Sequence, residues 1–498
     1  MVRVAIVGCA HGMLDDIYAT VNFVNEMDPS KPVELLLCCG DFECMRNLRD
    51  LETLACPTKY RALHAFHRYY TQAKLAPILT VFIGGNHEAS GYLQELHYGG
   101  WVAPNIFYLG AAGAINVAGL RIAGLSGIYK QQHYTAGRFE AMPFDNNTIR
   151  SVYHVRELEV FQLSHLQQVD KTPLGAFLSH DWPRGIEQHG NLRQLLRRKP
   201  FFEQDIRTNT LGSPAGEFLM YQLRPQYWFA AHLHVKFSAI VTHPDRLSSE
   251  ARASNGETLE AGNAKSSDEQ YTAPKPSFQP TTTKFLALDK CLPRREFMQI
   301  LDLPSLARES TSKEEQKIDS DSVLVTEAKQ DVTESDQTIE TSLSTKRSSP
   351  PKIMFDLEWL AILRATHHLA SANKSAPRVP QEEMKIEDKD ISWTVPGHDE
   401  EEGPHVATGN PQTDLLLELL KLPHVATAPF VGGDLIAAAV EDPNEIDLDD
   451  DEDTGDSNTR RVNTEDVTNH DGANTNRAVR IVTKTETPVD SCEVNLDL

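Results

Sequence analysis

Residues 2–12 read VRVAIVGCAHG. The first part is rich in β-branched residues and reads as a strand. It breaks at Gly8 into Cys9-Ala10-His11-Gly12, so a strand delivers a thiol and an imidazole, two residues apart, into a glycine turn. Side chains two apart in an extended segment share a face. Taken alone, Cys9 reads more readily as a small buried residue closing a strand than as a ligand.

The same form recurs downstream. Residues 33–39 (VELLLCC) lead to Gly40-Asp41-Phe42-Glu43, and residues 78–83 (ILTVFI) lead to Gly84-Gly85-Asn86-His87-Glu88. Residues 174–179 (LGAFLS) lead to His180-Asp181, and 227–231 (YWFAA) to His232-Leu233-His234. Residues 14–27 carry apolar positions 17, 21 and 24 at helical spacing, and 60–75 also reads as helix. Strands alternating with helices predict an α/β fold with parallel strands and right-handed crossovers. In such folds functional groups collect beyond the C-terminal strand ends. Here every such end carries imidazole, carboxylate, amide or thiol groups, the donors of divalent transition metals. One aspartate between two donor sets can bridge a pair of ions. No G-x-G-x-x-G follows the first strand, which argues against a dinucleotide site.

Charge divides the 498-residue chain in two. Residues 1–249 hold 23 basic and 22 acidic residues, so the net charge of −23 falls on the second half. Thirteen of the 19 histidines lie in the near-neutral half. This pattern predicts a folded body followed by a largely disordered acidic tail. Residues 246–282 are rich in Ser, Thr, Pro and Asn and read as a disordered insertion; order is expected again at 283–303, with a charged linker over 304–351. Residues 353–369 (IMFDLEWLAILRATHHL) read as strand then amphipathic helix, and 370–498 as tail. Within that tail TDLLLELLKL (413–422) reads as a transient helix rather than a docked one. No apolar run approaches the ~20 residues that span a bilayer. Seven scattered cysteines point to a reducing compartment.

The ordered series Cys9-Ala10-His11, Gly40-Asp41, Gly85-Asn86-His87-Glu88, His180 and Ala231-His232-Leu233-His234 resembles the calcineurin-like metallophosphoesterase family. That family carries D-x-H, G-D-x-x-[DN], G-N-H-[DE], H and G-H-x-H. Three positions depart: Cys9 stands for Asp, Cys44 for the last residue of the second motif, and Ala231 for Gly. With GDFECMRN, LSHDWPRGI, AHLHVKFSA and TKFLALDKCLPRREFMQIL, the chain resembles the lariat debranching branch of the family. The resemblance implies a β-sandwich flanked by helices over 1–245, with a small C-terminal extension at 283–369. It implies hydrolysis of the 2′–5′ phosphodiester at an intron branch point. Cys9, His11, Asp41 and His234 would surround one metal, and Asp41, Asn86, His180 and His232 the other. His87 would be the general acid for the departing 2′ oxygen, a task that imidazole suits near neutral pH. A thiolate ligand favours Fe²⁺ or Zn²⁺ over Mg²⁺, so Fe, Zn or Mn is expected, as one or two ions.

Residues 129–159 concentrate aromatics and bases, and the resemblance makes them a recognition loop for branched RNA. Tyr129, Lys130, Tyr134 and Arg150 are its candidate contacts, through base stacking and phosphate pairing. An ordinary surface loop is the competing reading. Arg193, Arg197, Arg198 and Lys199 could track phosphates or simply line a solvated helix face. The intron substrate implies a nuclear location, and the acidic tail is a candidate surface for protein partners. Another calcineurin-like phosphatase, or a non-catalytic scaffold on this fold, would use the same elements.

Overall fold

The computed structural model describes residues 1–166, 173–244, 281–305, 351–375, 379–380 and 410–424. The expected disordered insertion and linker fall almost wholly outside these residues, as does most of the expected tail.

Among the described residues, thirteen strands build two sheets. The first contains β1 (Val2–Val7), β2 (Leu35–Cys38), β3 (Leu79–Phe82), β4 (Gly100–Ala103), β5 (Ile106–Tyr108) and β12 (Met298–Leu303), in the order β12-β1-β2-β3-β5-β4. The second contains β6 (Ala112–Val117), β7 (Leu120–Leu125), β8 (Ala176–Ser179), β9 (Tyr227–Ala230), β10 (Phe237–Thr242), β11 (Thr282–Ala287) and β13 (Ile353–Phe355), in the order β10-β11-β9-β8-β7-β6-β13. β1, β2, β3 and β5 are mutually parallel, as are β7, β8, β9 and β11. Edges are closed by antiparallel strands, including β12 against β1.

Period-two alternation explains the layering. Val2, Val4 and Ile6 of β1 join Leu35, Leu37, Leu79 and Val81 in a core shared with Ile122, Leu178 and Phe229 of the second sheet. Ala5, Val7, Leu36 and Cys38 face the other way, toward Ile17 and Val21 of helix Leu14–Met27. On the far side Phe177, Trp228 and Phe285 pack beneath helices 157–164 and 214–223. The result is a two-sheet sandwich flanked by helices, in which β1, β2, β3, β8 and β9 lead into the ligand-bearing turns.

Three local expectations change. Residues 60–75 hold only the helix Phe66–Tyr70, because His64 at φ 39° and Gln72 at φ 58° leave the right-handed helical region on either side. Residues 298–303, expected only to be ordered, form a strand whose alternation is hidden because its outer face is only partly covered. Residues 410–424 carry a docked helix, Pro411–Leu420, with Leu416 and Leu420 in the outer core. Its Gln412 amide bonds both the N–H and the carbonyl of Trp101 on β4, so this segment caps a sheet edge. One amide read against one edge residue leaves no periodic trace in sequence.

Candidate metal centre

The turns after β1, β2 and β9 bring Cys9, His11, Asp41 and His234 together, with one donor atom from each all within 4.8 Å of one another. His11 Nε2 lies 3.3 Å from His234 Nε2 and 3.6 Å from Asp41 Oδ2. Cys9 is fully buried, and its sulfur accepts the His232 N–H at 3.2 Å. On the other side of Asp41, His180 Nε2 sits 3.2 Å from Asp41 Oδ1 and 3.1 Å from Asn86 Oδ1. The His232 ring stands 5.0 Å from that of His180. Asp41 thus faces both donor groups, one carboxylate oxygen toward each.

Backbone conformation is spent to achieve this. His11, Asp41, Glu43, His232 and His234 all have positive φ, between 44° and 64°. Such residues are costly outside glycine and cluster where function over-determines the turn. Gly40 and Gly85 make the close approach possible: a Cβ would lie 2.4 Å from His180 Nδ1 at the first and 2.1 Å from Asp41 Oδ1 at the second.

Electrostatics suit a cation. Burial pushes the Asp41 carboxyl up, but His180, His87 and His11 outweigh it and hold it well below the usual range. Burial, reinforced by the neighbouring His180, pulls His232 down to about 3, and burial with His11 pulls His234 down as well. Burial and the Asp41 charge push the Cys9 thiol well up, so its thiolate needs compensating positive charge. Asp41 Oδ2 and His234 Nδ1 are buried with no hydrogen-bond partner. Donors of N, O and S type within 4.8 Å of one another, some of them without a hydrogen-bond partner, fit a divalent transition metal.

His87 adds a second kind of group. Its backbone N–H donates to Asp41 Oδ1 at 2.9 Å, which pins the shared carboxylate. Its half-buried ring stands 5.4 Å from that of His11. Cys44 points elsewhere, into the core with Phe42 and Met45.

Several supporting residues carried no assigned role in the sequence reading. The buried Glu88 carboxylate accepts the N–H groups of Phe42, Glu43 and Gly85, tying the β2 and β3 turns together. Burial and Asp41 push it to about 8. Glu43 and His64 lie behind His11. An acid two residues beyond Asp41 was a readable signal for Glu43, whereas nothing in sequence marks His64.

The loop over 129–159 begins beside the centre. Asp181, next to His180, accepts the Tyr129 N–H at 3.3 Å. Tyr129 and Tyr134 pair with ring centroids 5.3 Å apart, flanking Lys130 at the start of helix Gln131–Tyr134. Lys130 is near enough to His232 to help lower its pKa. Arg150 lies on a separate short helix, Thr148–Ser151. The structure thus pairs Tyr129 with Tyr134 on either side of Lys130 in sequence and places Arg150 on a different short helix. The loop is propped from beneath by Arg138 on Glu159 and Arg156 on Glu140. It is also clipped from the C-terminal region: Gly137 and Arg138 donate their N–H groups to Asn373 and Ser371 carbonyls at 3.1 and 2.8 Å.

Comparison with known proteins follows the same two parts. The calcineurin-like phosphoesterase family matches residues 2–236, and the lariat debranching enzyme C-terminal domain family matches residues 280–392. A lariat debranching enzyme of Arabidopsis thaliana is 38% identical over 452 residues, covering 87% of this chain and 89% of its own. Relatives with that description from Homo sapiens and Xenopus laevis are 45% and 44% identical over 379 residues. Those alignments cover 76% of this chain but only 56% and 57% of the human and frog proteins.

Proposed function

Since the chain belongs to the lariat debranching enzyme family within the calcineurin-like phosphoesterases, we propose that it hydrolyses the 2′–5′ phosphodiester at the branch of lariat RNA. The observation that carries this reading is the convergence of Cys9, His11, Asp41 and His234. It lies beside a loop that presents two paired tyrosines and a lysine.

Cys9, His11, Asp41 and His234 would hold one divalent ion, and Asp41, Asn86, His180 and His232 a second. Ions bound there would supply charge neutralisation for the phosphate and activation of water. A set that includes a thiolate and imidazoles supports Fe²⁺, Zn²⁺ or Mn²⁺ over Mg²⁺. The chain's own residues do the rest. Asp41 is fixed by the His87 N–H and by His180, so donor positions are set before substrate arrives. The His87 ring protonates the departing 2′ oxygen. Tyr129 and Tyr134 stack on the branch nucleotides while Lys130 pairs a phosphate. Arg150, on its own helix, would engage a strand farther out. A nuclear location follows from an intron substrate, and the acidic tail would serve protein partners.

The test gives the full chain a branched 2′–5′ RNA and its linear 3′–5′ counterpart with Fe²⁺, Mn²⁺ or Zn²⁺. Selective cleavage at the branch is expected. Cleavage of neither RNA with any ion refutes the activity, and cleavage of both removes the branch specificity. His87→Ala should abolish turnover with metal content unchanged; loss of the metal instead would reassign His87 as a ligand.

A further inference from the structure

The two donor groups orient their histidines differently. His180 Nδ1 donates to a backbone carbonyl, that of Cys39, at 2.8 Å. His11 Nδ1 instead lies 3.3 Å from the carboxylate oxygen Oε1 of Glu43. Glu43 is only 6% exposed, and its other oxygen, Oε2, lies 3.5 Å from Nε2 of His64. The Glu43 backbone is held in place twice over, by its φ of 58° and by its N–H donated to Glu88 Oε2 at 2.9 Å. Gly12 lets His64 close over this arrangement, since a Cβ there would lie 2.5 Å from the His64 Cβ.

We propose that Glu43, backed by His64, is a positioning residue that holds His11 with Nδ1 protonated and Nε2 aimed at Cys9, Asp41 and His234, and so makes the thiolate-containing pocket the tighter of the two. This rests on the metal-centre reading above. A carboxylate behind a ligating imidazole fixes its tautomer and ring orientation and raises its basicity, and removing such a partner costs about 10–100-fold in metal affinity. A neutral carbonyl behind His180 supplies orientation without the anionic contribution. Glu43 also lowers the rotational freedom of a ligand that is itself partly exposed.

Cobalt(II) separates the two pockets, because only the one containing Cys9 yields a thiolate-to-cobalt charge-transfer band. The full chain is titrated with Co²⁺ while that band and total bound cobalt are followed. In the unaltered protein the band should saturate with the first, tighter ion. In Glu43→Leu it should require about 10–100-fold more free Co²⁺, with binding that gives no band unchanged. Glu43→Gln, which keeps an oxygen acceptor for Nδ1–H, should shift it less. Thermal melts of the metal-stripped proteins control for folding. An unshifted band in a folded Glu43→Leu protein overturns the proposal, as does an equal weakening of both binding events. An unaltered protein that shows no band at any Co²⁺ concentration refutes the metal-centre reading itself.

Discussion

Arg121 on β7 grips Asp356, 235 residues away in sequence, through Nε and Nη2 at 2.6 and 3.0 Å. Its Nη2 also reaches Glu358 at 2.6 Å. The pair is nearly buried, with side chains 5% and 9% exposed. Asp356 meanwhile caps helix Leu357–Thr366 by accepting the Trp359 N–H. One guanidinium therefore joins the two-sheet sandwich to the start of the C-terminal helix.

Arg121→Ala would remove the guanidinium that pairs the nearly buried Asp356 carboxylate. Truncating one partner of a buried pair costs about 3–5 kcal/mol. The expected outcome is an unfolding free energy from urea titration lowered by that amount, with the helix 357–366 opening first in hydrogen exchange. A change below about 1 kcal/mol would show that water already reaches the pair.

The clip on the loop over 129–159 makes a second prediction. A Cβ at Gly137 would lie 2.4 and 2.5 Å from the carbonyls of Asn373 and Ser371, so any side chain there pushes the loop off the C-terminal segment. Gly137→Val should reduce kcat/KM for branched RNA at least tenfold, about 1.4 kcal/mol of transition-state binding. Hydrolysis of a small aryl phosphodiester, which needs only the metal centre, should hold. Removing residues 371–498 should lose branched-RNA cleavage too, and stability besides, because that stretch also carries the docked helix Pro411–Leu420, although composition alone marks it as dispensable tail. Equal loss on both substrates would mean that the loop supports the centre itself.

The division between what could and could not be read from sequence follows from range. Strands β1, β2, β3, β8 and β9 announce themselves by apolar runs, and each is followed within a few residues by its donor side chains, so the convergence of Cys9, His11, Asp41 and His234, with Asn86, His180 and His232 on the other side of Asp41, could be anticipated from order alone. The supporting contacts are long-range and single. His64 reaches Glu43 across a loop, Gln412 meets Trp101 at a sheet edge, and Asn373 meets Gly137 through backbone atoms that carry no residue code at all. Periodicity reports faces, not partners.

Buried histidines set the acid limit of stability. Burial, then the charges of His133, Arg156, Lys130 and Arg138, hold His154 down to about 2. Burial with Arg224 and His189 holds His243 down to about 4. Unfolded histidine titrates near 6.5. Below that pH the unfolded chain takes up protons that the fold refuses, so this contribution is complete above about 6.5 and is lost as pH falls toward 4. Asp181, raised by burial to about 6, works in the opposite sense. The comparison is therefore differential: His243→Gln should lose less stability between pH 7 and 4.5 than the unaltered chain, by urea midpoint. Parallel slopes would show that His243 protonates in the fold at its ordinary pKa.

Cys9 decides which ion the centre prefers. Its thiolate is the one soft donor among imidazoles and carboxylate, and its sulfur is already fixed by the His232 N–H. Cys9→Asp exchanges sulfur for a hard oxygen while keeping one negative charge. Softer ions should then lose affinity and Mg²⁺ or Mn²⁺ gain it relative to them. The variant should also bind its ion at lower pH, because an aspartate gives up its proton far more readily than a thiol pushed up by burial. Competition dialysis with Zn²⁺ against Mn²⁺, repeated at pH 6 and 8, measures both effects. An unchanged preference at both pH values would place the sulfur outside the coordination sphere and return Cys9 to the role of a buried residue closing a strand.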